Sequence, residues 1–145
     1  MTRVPILVLI LGSLAFLACG ADDGVADALP ALSQETTVEE ATYTDISVAE
    51  LQTMLASKDF PLVNVHVPFE GDLPETDFSI PFDDIANQRD RLPADRNAKI
   101  VLYCRGGSMS VEAAQTLARL GYTNVHNLAG GFRAWQEVGL PMEGG

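Results

Sequence analysis

The chain has few cysteines and few basic residues. Of its 145 residues only Cys19 and Cys104 are cysteines, so it has no disulfide scaffold of the kind found in small secreted proteins. The chain has nine basic and 20 acidic side chains, so its formal net charge is -11. Such a balance argues against nucleic acid or an anionic membrane surface as an electrostatic partner. We find no internal repeat and no cluster with metal-ligand spacing, so no metal is predicted.

The chain also lacks an apolar run long enough for a spanning helix. Val4–Leu17 is uncharged, but it is shorter than the roughly 20 residues that such a helix needs. Arg3 precedes this run, and the sequence A-F-L-A-C at its end resembles a bacterial lipoprotein signal. That resemblance implies a signal peptide over residues 1–18, a lipid on Cys19, and an exported protein anchored to the periplasmic or extracellular face of a membrane. Plain cleavage and an uncleaved anchor are the alternatives.

Residues 19–41 begin with Cys19 and continue as an acidic, aperiodic segment that predicts a flexible tether. From about Thr42 the hydrophobic pattern alternates between strand and helix, which predicts an α/β domain over residues 42–143 with a parallel sheet covered by helices. The predicted strands are Thr42–Ile46, Leu62–Val67, Lys99–Cys104 and Val125–Leu128. The predicted helices are Ser47 to near Lys58, Asp83 or Asp84 to Leu92, Ser110–Leu120 and Phe132–Val138, and Pro68–Pro81 is predicted to be a long irregular loop.

The most informative stretch is Lys99–Leu120, K-I-V-L-Y-C-R-G-G-S-M-S-V-E-A-A-Q-T-L-A-R-L. It predicts a strand that ends on Cys104, a glycine-bearing loop, and the N-terminus of a helix. Backbone N–H groups and the positive end of the helix dipole would then converge on the thiol. We therefore expect Cys104 to have a lowered pKa and to react as a thiolate, whereas an inert core cysteine is the alternative.

The C-R-G-G-S-M-S loop and the tail G-Y-T-N-V-H-N-L-A-G-G-F-R-A-W-Q-E-V-G-L-P resemble the active-site loop and C-terminal signature of the rhodanese family. The resemblance implies a three-layer α/β fold with a mostly parallel central sheet, and a sulfurtransferase without a dissociable cofactor. Cys104 would take sulfane sulfur from a small donor such as thiosulfate, a polysulfide or a persulfide, and pass it to a thiol or protein acceptor. The residues expected to bind the substrate anion are Arg105, Gly106, Gly107, Ser108, Met109 and Ser110. A monomer is expected.

The sequence departs from the family pattern at several positions. Met109 replaces a second loop arginine, which predicts weak activity toward thiosulfate. Asn64-Val65-His66 stands where the family usually has Asp-Val-Arg, and Glu70 is a candidate for the glutamate that follows. His66 is either a proton donor or substrate contact, or a histidine hydrogen-bonded within the scaffold. Arg105 either contacts substrate or pairs with an acid such as Glu70 or Glu112.

The carboxylates of the loop 68–81 are expected to lie on the same edge as Cys104 and to repel a dianion. His126, Phe132 and Trp135 are interpreted as packing residues. Phosphatases of this fold need an arginine six residues after the cysteine, a position that Ser110 occupies here, so that activity is not expected. The main alternative to a sulfurtransferase is a binding or sensing module at the membrane surface that keeps the fold but has weak or no turnover.

Overall fold

Five parallel strands form the central sheet in the computed structural model of the protein, which describes residues 42–145. The predicted signal peptide, the lipidation of Cys19 and the tether lie outside the described residues. Every strand pairing is parallel, and the spatial order is β1-β5-β4-β2-β3. The strands are β1 (Thr44–Ile46), β2 (Leu62–Asn64), β3 (Phe78–Ser79), β4 (Ile100–Tyr103) and β5 (Val125–Leu128). The predicted α/β class with a parallel sheet is confirmed.

Three α-helices connect and cover these strands: α1 (Val48–Leu55), α2 (Ser108–Arg119) and α3 (Gly131–Glu137). The start of α1 is the predicted capping box, in which the Ser47 side chain accepts from the Glu50 N–H and the Glu50 carboxylate accepts from the Ser47 N–H. No helix within residues 42–145 has both the length and the apolar character needed to cross a membrane.

The strand β4 shows how the sheet divides the core into two layers. Its side chains alternate between faces, as the two-residue period of a strand requires. Ile100 and Leu102 pack in one cluster with the buried face of α2, whereas Val101 and Tyr103 pack in the other with residues of α1 and α3. All four are fully buried. Helices on both faces thus sandwich the sheet, and Cys104 follows at its carboxyl edge.

Two predicted elements are wrong in extent. Strand β2 ends at Asn64 instead of Val67, because the Asn64 side chain accepts from the His66 N–H and turns the chain out of the strand. The predicted irregular loop 68–81 contains β3, which the sequence analysis missed. This strand has only two residues, and its pairing depends on backbone contacts such as Asp77 N–H to Leu62 C=O (2.9 Å) and Ile80 N–H to Asn64 C=O (2.9 Å).

Two predicted helices also differ from the structure. Residues 82–92 form successive turns and a 3₁₀ helix, Arg89–Arg91, instead of an α-helix. The Asp84 carboxylate accepts from the side chains of Asn87 and Gln88, so it satisfies no backbone N–H of a helix N-terminus. Helix α2 begins at Ser108, two residues earlier than predicted, because Gly107 adopts φ +108° and serves as the N-cap.

Candidate active site

Cys104 lies directly after β4, at the point where the chain turns into α2. Its side chain is almost fully buried, and Sγ accepts hydrogen bonds from the Gly107 N–H (3.1 Å) and the Ser110 hydroxyl (3.4 Å). The positive end of α2, a 12-residue helix, starts at the same loop. Among the described residues Cys104 is the one free cysteine.

The pKa of Cys104 reflects two opposing effects. Burial raises the pKa of the thiol, but hydrogen bonds from the Ser110 hydroxyl and from the N–H groups of Ser110, Gly107 and Gly106 favour the thiolate. The hydrogen bonds outweigh the burial, so the pKa of Cys104 lies below its ordinary value. The sulfur is therefore suited to act as a nucleophile.

Helix α3 supports this loop from the side of β5. The Phe132 N–H donates to the Cys104 carbonyl (2.9 Å), and the Arg133 N–H donates to the Arg105 carbonyl (3.1 Å). Gly131 makes the close approach feasible, because a Cβ atom there would lie 2.1 Å from the Cys104 carbonyl oxygen. The G-G pair of the C-terminal signature thus allows the last helix to dock on the active loop.

A pocket of about 280 Å³ opens over the sulfur. It is lined by His66, Cys104, Arg105, Gly106, Ser108, Met109 and Arg133. Sequence reasoning missed Arg133. The available signal was its position just after the carboxyl end of β5, at the sheet edge where Cys104 also lies.

Glu70 links two of the polar residues around the pocket. Its Oε1 lies 3.2 Å from Arg105 Nη1 and 3.6 Å from His66 Nε2. Of the two acids considered for Arg105, Glu70 is the one that pairs with it. The hydrogen-bonded scaffold role considered for His66 finds no support, because neither ring nitrogen has a hydrogen-bond partner within the part of the chain that the structure describes.

None of the carboxylates of the loop 68–81 lines the pocket, although Glu70 contacts two residues that do. Asp72 accepts from Asn64 Nδ2 (2.9 Å) and from the Tyr103 hydroxyl (3.1 Å), while Asp77 accepts from the Leu62 N–H and pairs with Lys58. These two acids instead bond to the sheet and its flanking side chains. The expected repulsion of a dianion by the carboxylates of this loop stays a prediction.

Asn64 fixes the beginning of this loop, although it replaces the acid of the family pattern. Its Nδ2 donates to the Gly71 carbonyl (2.9 Å) as well as to Asp72, and its Oδ1 accepts from the His66 N–H (2.9 Å). Two amide protons and one carbonyl oxygen therefore hold both ends of the segment 66–71. The buried Asn64 side chain thus holds the backbone of the segment that contains His66 and Glu70.

The structure brings most of the predicted site residues together. Gly107 and Ser110 contact the sulfur, Arg105, Gly106, Ser108, Met109 and His66 line the pocket, and Glu70 contacts two of its residues. Ser108 and Met109, which were predicted in the loop, belong to the first turn of α2 together with Ser110. Phe132 and Trp135 are buried packing residues, whereas His126 is half-buried on β5. No group of His, Cys, Asp and Glu within residues 42–145 could hold a metal ion.

The sequence and the fold of this chain are similar to those of known proteins. The family model Rhodanese-like domain matches residues 47–138. A protein of Allochromatium vinosum named sulfurtransferase is 35% identical over 94 residues, which cover 63% of this chain and 85% of that protein. The tRNA uridine(34) hydroxylase of Erwinia tasmaniensis is 31% identical over 67% of this chain, which corresponds to 31% of the hydroxylase. The crystal structure of a rhodanese-related protein from Thermoplasma volcanium superposes with a TM-score of 0.59 at 28% identity, covering 69% of this chain and 97% of that one.

Proposed function

Because the chain belongs to the family of rhodanese-like domains, we propose that it is a sulfurtransferase that carries sulfane sulfur as a persulfide on Cys104. The observation that carries this proposal is the position of the Cys104 sulfur, which accepts hydrogen bonds from Gly107 and Ser110 and faces a pocket. A buried thiol without such donors would be an inert core residue.

The reaction consists of two displacements at sulfur. In the first, the Cys104 thiolate attacks the outer sulfur of the donor, the sulfur–sulfur bond of the donor breaks, and the leaving group departs with the electron pair. In the second, an acceptor thiolate attacks the outer sulfur of the Cys104 persulfide and Cys104 leaves as a thiolate. No net oxidation or reduction occurs. The N–H groups of Gly106, Gly107 and Ser110 would stabilise the anion at each stage.

The charges around the pocket favour some sulfur donors over others. Arg105 is paired with Glu70 at 3.2 Å, and Met109 contributes no charge to the lining. Arg133 adds one cation that sequence reasoning missed. With one of its two arginines already neutralised, the pocket suits a neutral or singly charged donor, such as a persulfide or polysulfide, better than the thiosulfate dianion. Thiosulfate activity is therefore expected to be weak, and the acceptor is a thiol or a protein.

Intact mass spectrometry tests the proposal directly. Purified protein is incubated with a polysulfide or with thiosulfate and weighed at successive times. A one-sulfur adduct that forms faster with polysulfide, and that is absent from the Cys104→Ser variant, is the expected result. Adding a small thiol should then remove the extra sulfur.

Two outcomes would contradict the proposal. An adduct that persists in Cys104→Ser would place the sulfur on another residue. No adduct with any donor would instead favour the binding or sensing module, for which the neutralisation of Arg105 by Glu70 is the specific observation.

A further inference from the structure

The imidazole ring of His66 is almost fully enclosed, although the residue as a whole is only partly buried. Its side chain is 7% exposed, and neither Nδ1 nor Nε2 has a hydrogen-bond partner among the described residues. Leaving a buried donor or acceptor unsatisfied costs about 1 to 3 kcal/mol, so such a group needs an explanation. His66 lines the pocket that contains Cys104, which makes a bound substrate the natural partner.

The surroundings of His66 hold the ring in a defined place. The ring packs edge-on against Phe132, with centroids 5.5 Å apart and an interplanar angle of 82°. Glu70 Oε1 lies 3.6 Å from Nε2, so the carboxylate borders this side of the ring. The other charged or titratable groups of the same pocket are Cys104, Arg105 and Arg133.

An acid in this position matters for one class of sulfur donor and not for another. When thiosulfate gives up its outer sulfur, sulfite leaves as a stable anion and needs no proton. When an alkyl persulfide gives up its outer sulfur, the leaving group is a thiolate whose conjugate thiol has a pKa of about 8.5. A group that donates a proton near neutral pH speeds the departure of such a base.

We propose that His66 is the general acid that protonates the leaving thiol when Cys104 takes sulfur from an alkyl thiol persulfide, with Glu70 as its positioning residue. This inference rests on the proposed function and narrows its donor class. In the first displacement, Cys104 bonds to the outer sulfur of R–S–SH, the S–S bond breaks, and R–S⁻ takes the proton of the imidazolium to leave as R–SH. In the second, the neutral imidazole accepts the proton of the acceptor thiol, which attacks the Cys104 persulfide and regenerates the thiolate. Protons and electrons balance over the cycle.

The test compares donors that differ in their leaving groups. Formation of the Cys104 adduct is followed in a single turnover with glutathione persulfide, with an aryl persulfide whose leaving thiol is more acidic, and with thiosulfate. For His66→Gln we expect a loss of about 100-fold with glutathione persulfide, the low end of general acid catalysis, and much smaller losses with the other two donors. His126→Gln changes a half-buried histidine outside the pocket and should leave all three rates unchanged.

Equal losses with all three donors would overturn the proposal, because they would indicate that His66 only supports the structure. Unchanged rates would overturn it as well. The wild-type protein provides a measurement that does not depend on the folding of a variant: with a series of persulfides, its rate should depend only weakly on the pKa of the leaving thiol. A steep dependence would contradict proton donation. Failure of the proposed function itself looks different, because the wild type would then form no adduct at all.

Discussion

At the scale of single residues, the reactivity of Cys104 depends on a balance between burial and hydrogen bonding that Ser110 helps to decide. Its hydroxyl lies 3.4 Å from Sγ and 3.0 Å from the Gly107 carbonyl, so one proton is shared between two acceptors. A hydrogen bond to a charged group contributes about 1.5 to 3 kcal/mol, and one pKa unit corresponds to about 1.4 kcal/mol. Ser110→Ala removes this hydrogen bond, so it should raise the pKa of Cys104.

The pH dependence of alkylation by iodoacetamide measures this shift. Ser110 lowers the pKa of Cys104 in the folded protein, so its removal reduces the thiolate fraction at each pH and moves the midpoint of the rate profile to higher pH. Ser57→Ala, which changes an exposed serine just after α1, should leave the midpoint in place. A midpoint that stays the same or falls in Ser110→Ala would show that the backbone N–H groups alone set the acidity of the thiol.

At the scale of secondary-structure elements, the docking of α3 on the active loop depends on Gly131. Both Gly131 (φ +58°) and Gly139 (φ +81°) adopt left-handed backbone conformations, but a Cβ atom meets no other atom at Gly139 and lies 2.1 Å from the Cys104 carbonyl oxygen at Gly131. Gly139→Ala should therefore cost about 1 to 2 kcal/mol of unfolding free energy from backbone strain alone. Gly131→Ala should cost at least about 1 to 3 kcal/mol more, because the loop or the helix must move.

Urea unfolding of the two variants tests this difference, since both carry the same substitution at a positive φ. Gly131→Ala should also slow formation of the Cys104 adduct, because the carbonyl groups of Cys104 and Arg105 can no longer accept from α3 in their present positions. Equal stabilities of the two variants would show that the contact between α3 and the loop relaxes without cost.

The elements that the sequence predicted well are those with a strong local signal. Strand β5 has its predicted bounds, and α1 begins at the capping box of Ser47 and Glu50. Strand β3 has only two residues, which is too short to show the alternation of apolar and polar side chains that marks a strand in the sequence. It forms because it pairs with β2, which is a tertiary contact. The position of Cys104 at a strand end was predictable, whereas its neighbours come from two distant segments: His66 and Glu70 follow β2, and Arg133 is on α3. The sequence offered both Glu70 and Glu112 as partners of Arg105, and the fold is what selects Glu70 and places it beside His66 as well.

At the scale of the whole molecule, Cys19 bears on where the proposed chemistry would take place. We propose that Cys19 is lipidated after removal of residues 1–18 and that the domain is exported on a membrane anchor. The support is the sequence itself: one positive charge, an apolar run too short for a spanning helix, and a small residue before the cysteine. Cys104 would then have no partner for an intramolecular disulfide.

The full-length protein, expressed in a bacterium fed an alkyne-tagged fatty acid, tests this anchor. Wild-type protein should carry the tag and sediment with membranes, and Cys19→Ser should lose both properties because the lipid has no attachment site. Cys104→Ser is the matched control, since it removes the other cysteine and should keep the tag. Untagged wild-type protein in the soluble exported fraction would indicate plain cleavage. Cys19→Ser protein that stays in the membrane at its full length would indicate an uncleaved anchor. Either result would contradict the proposed lipidation of Cys19.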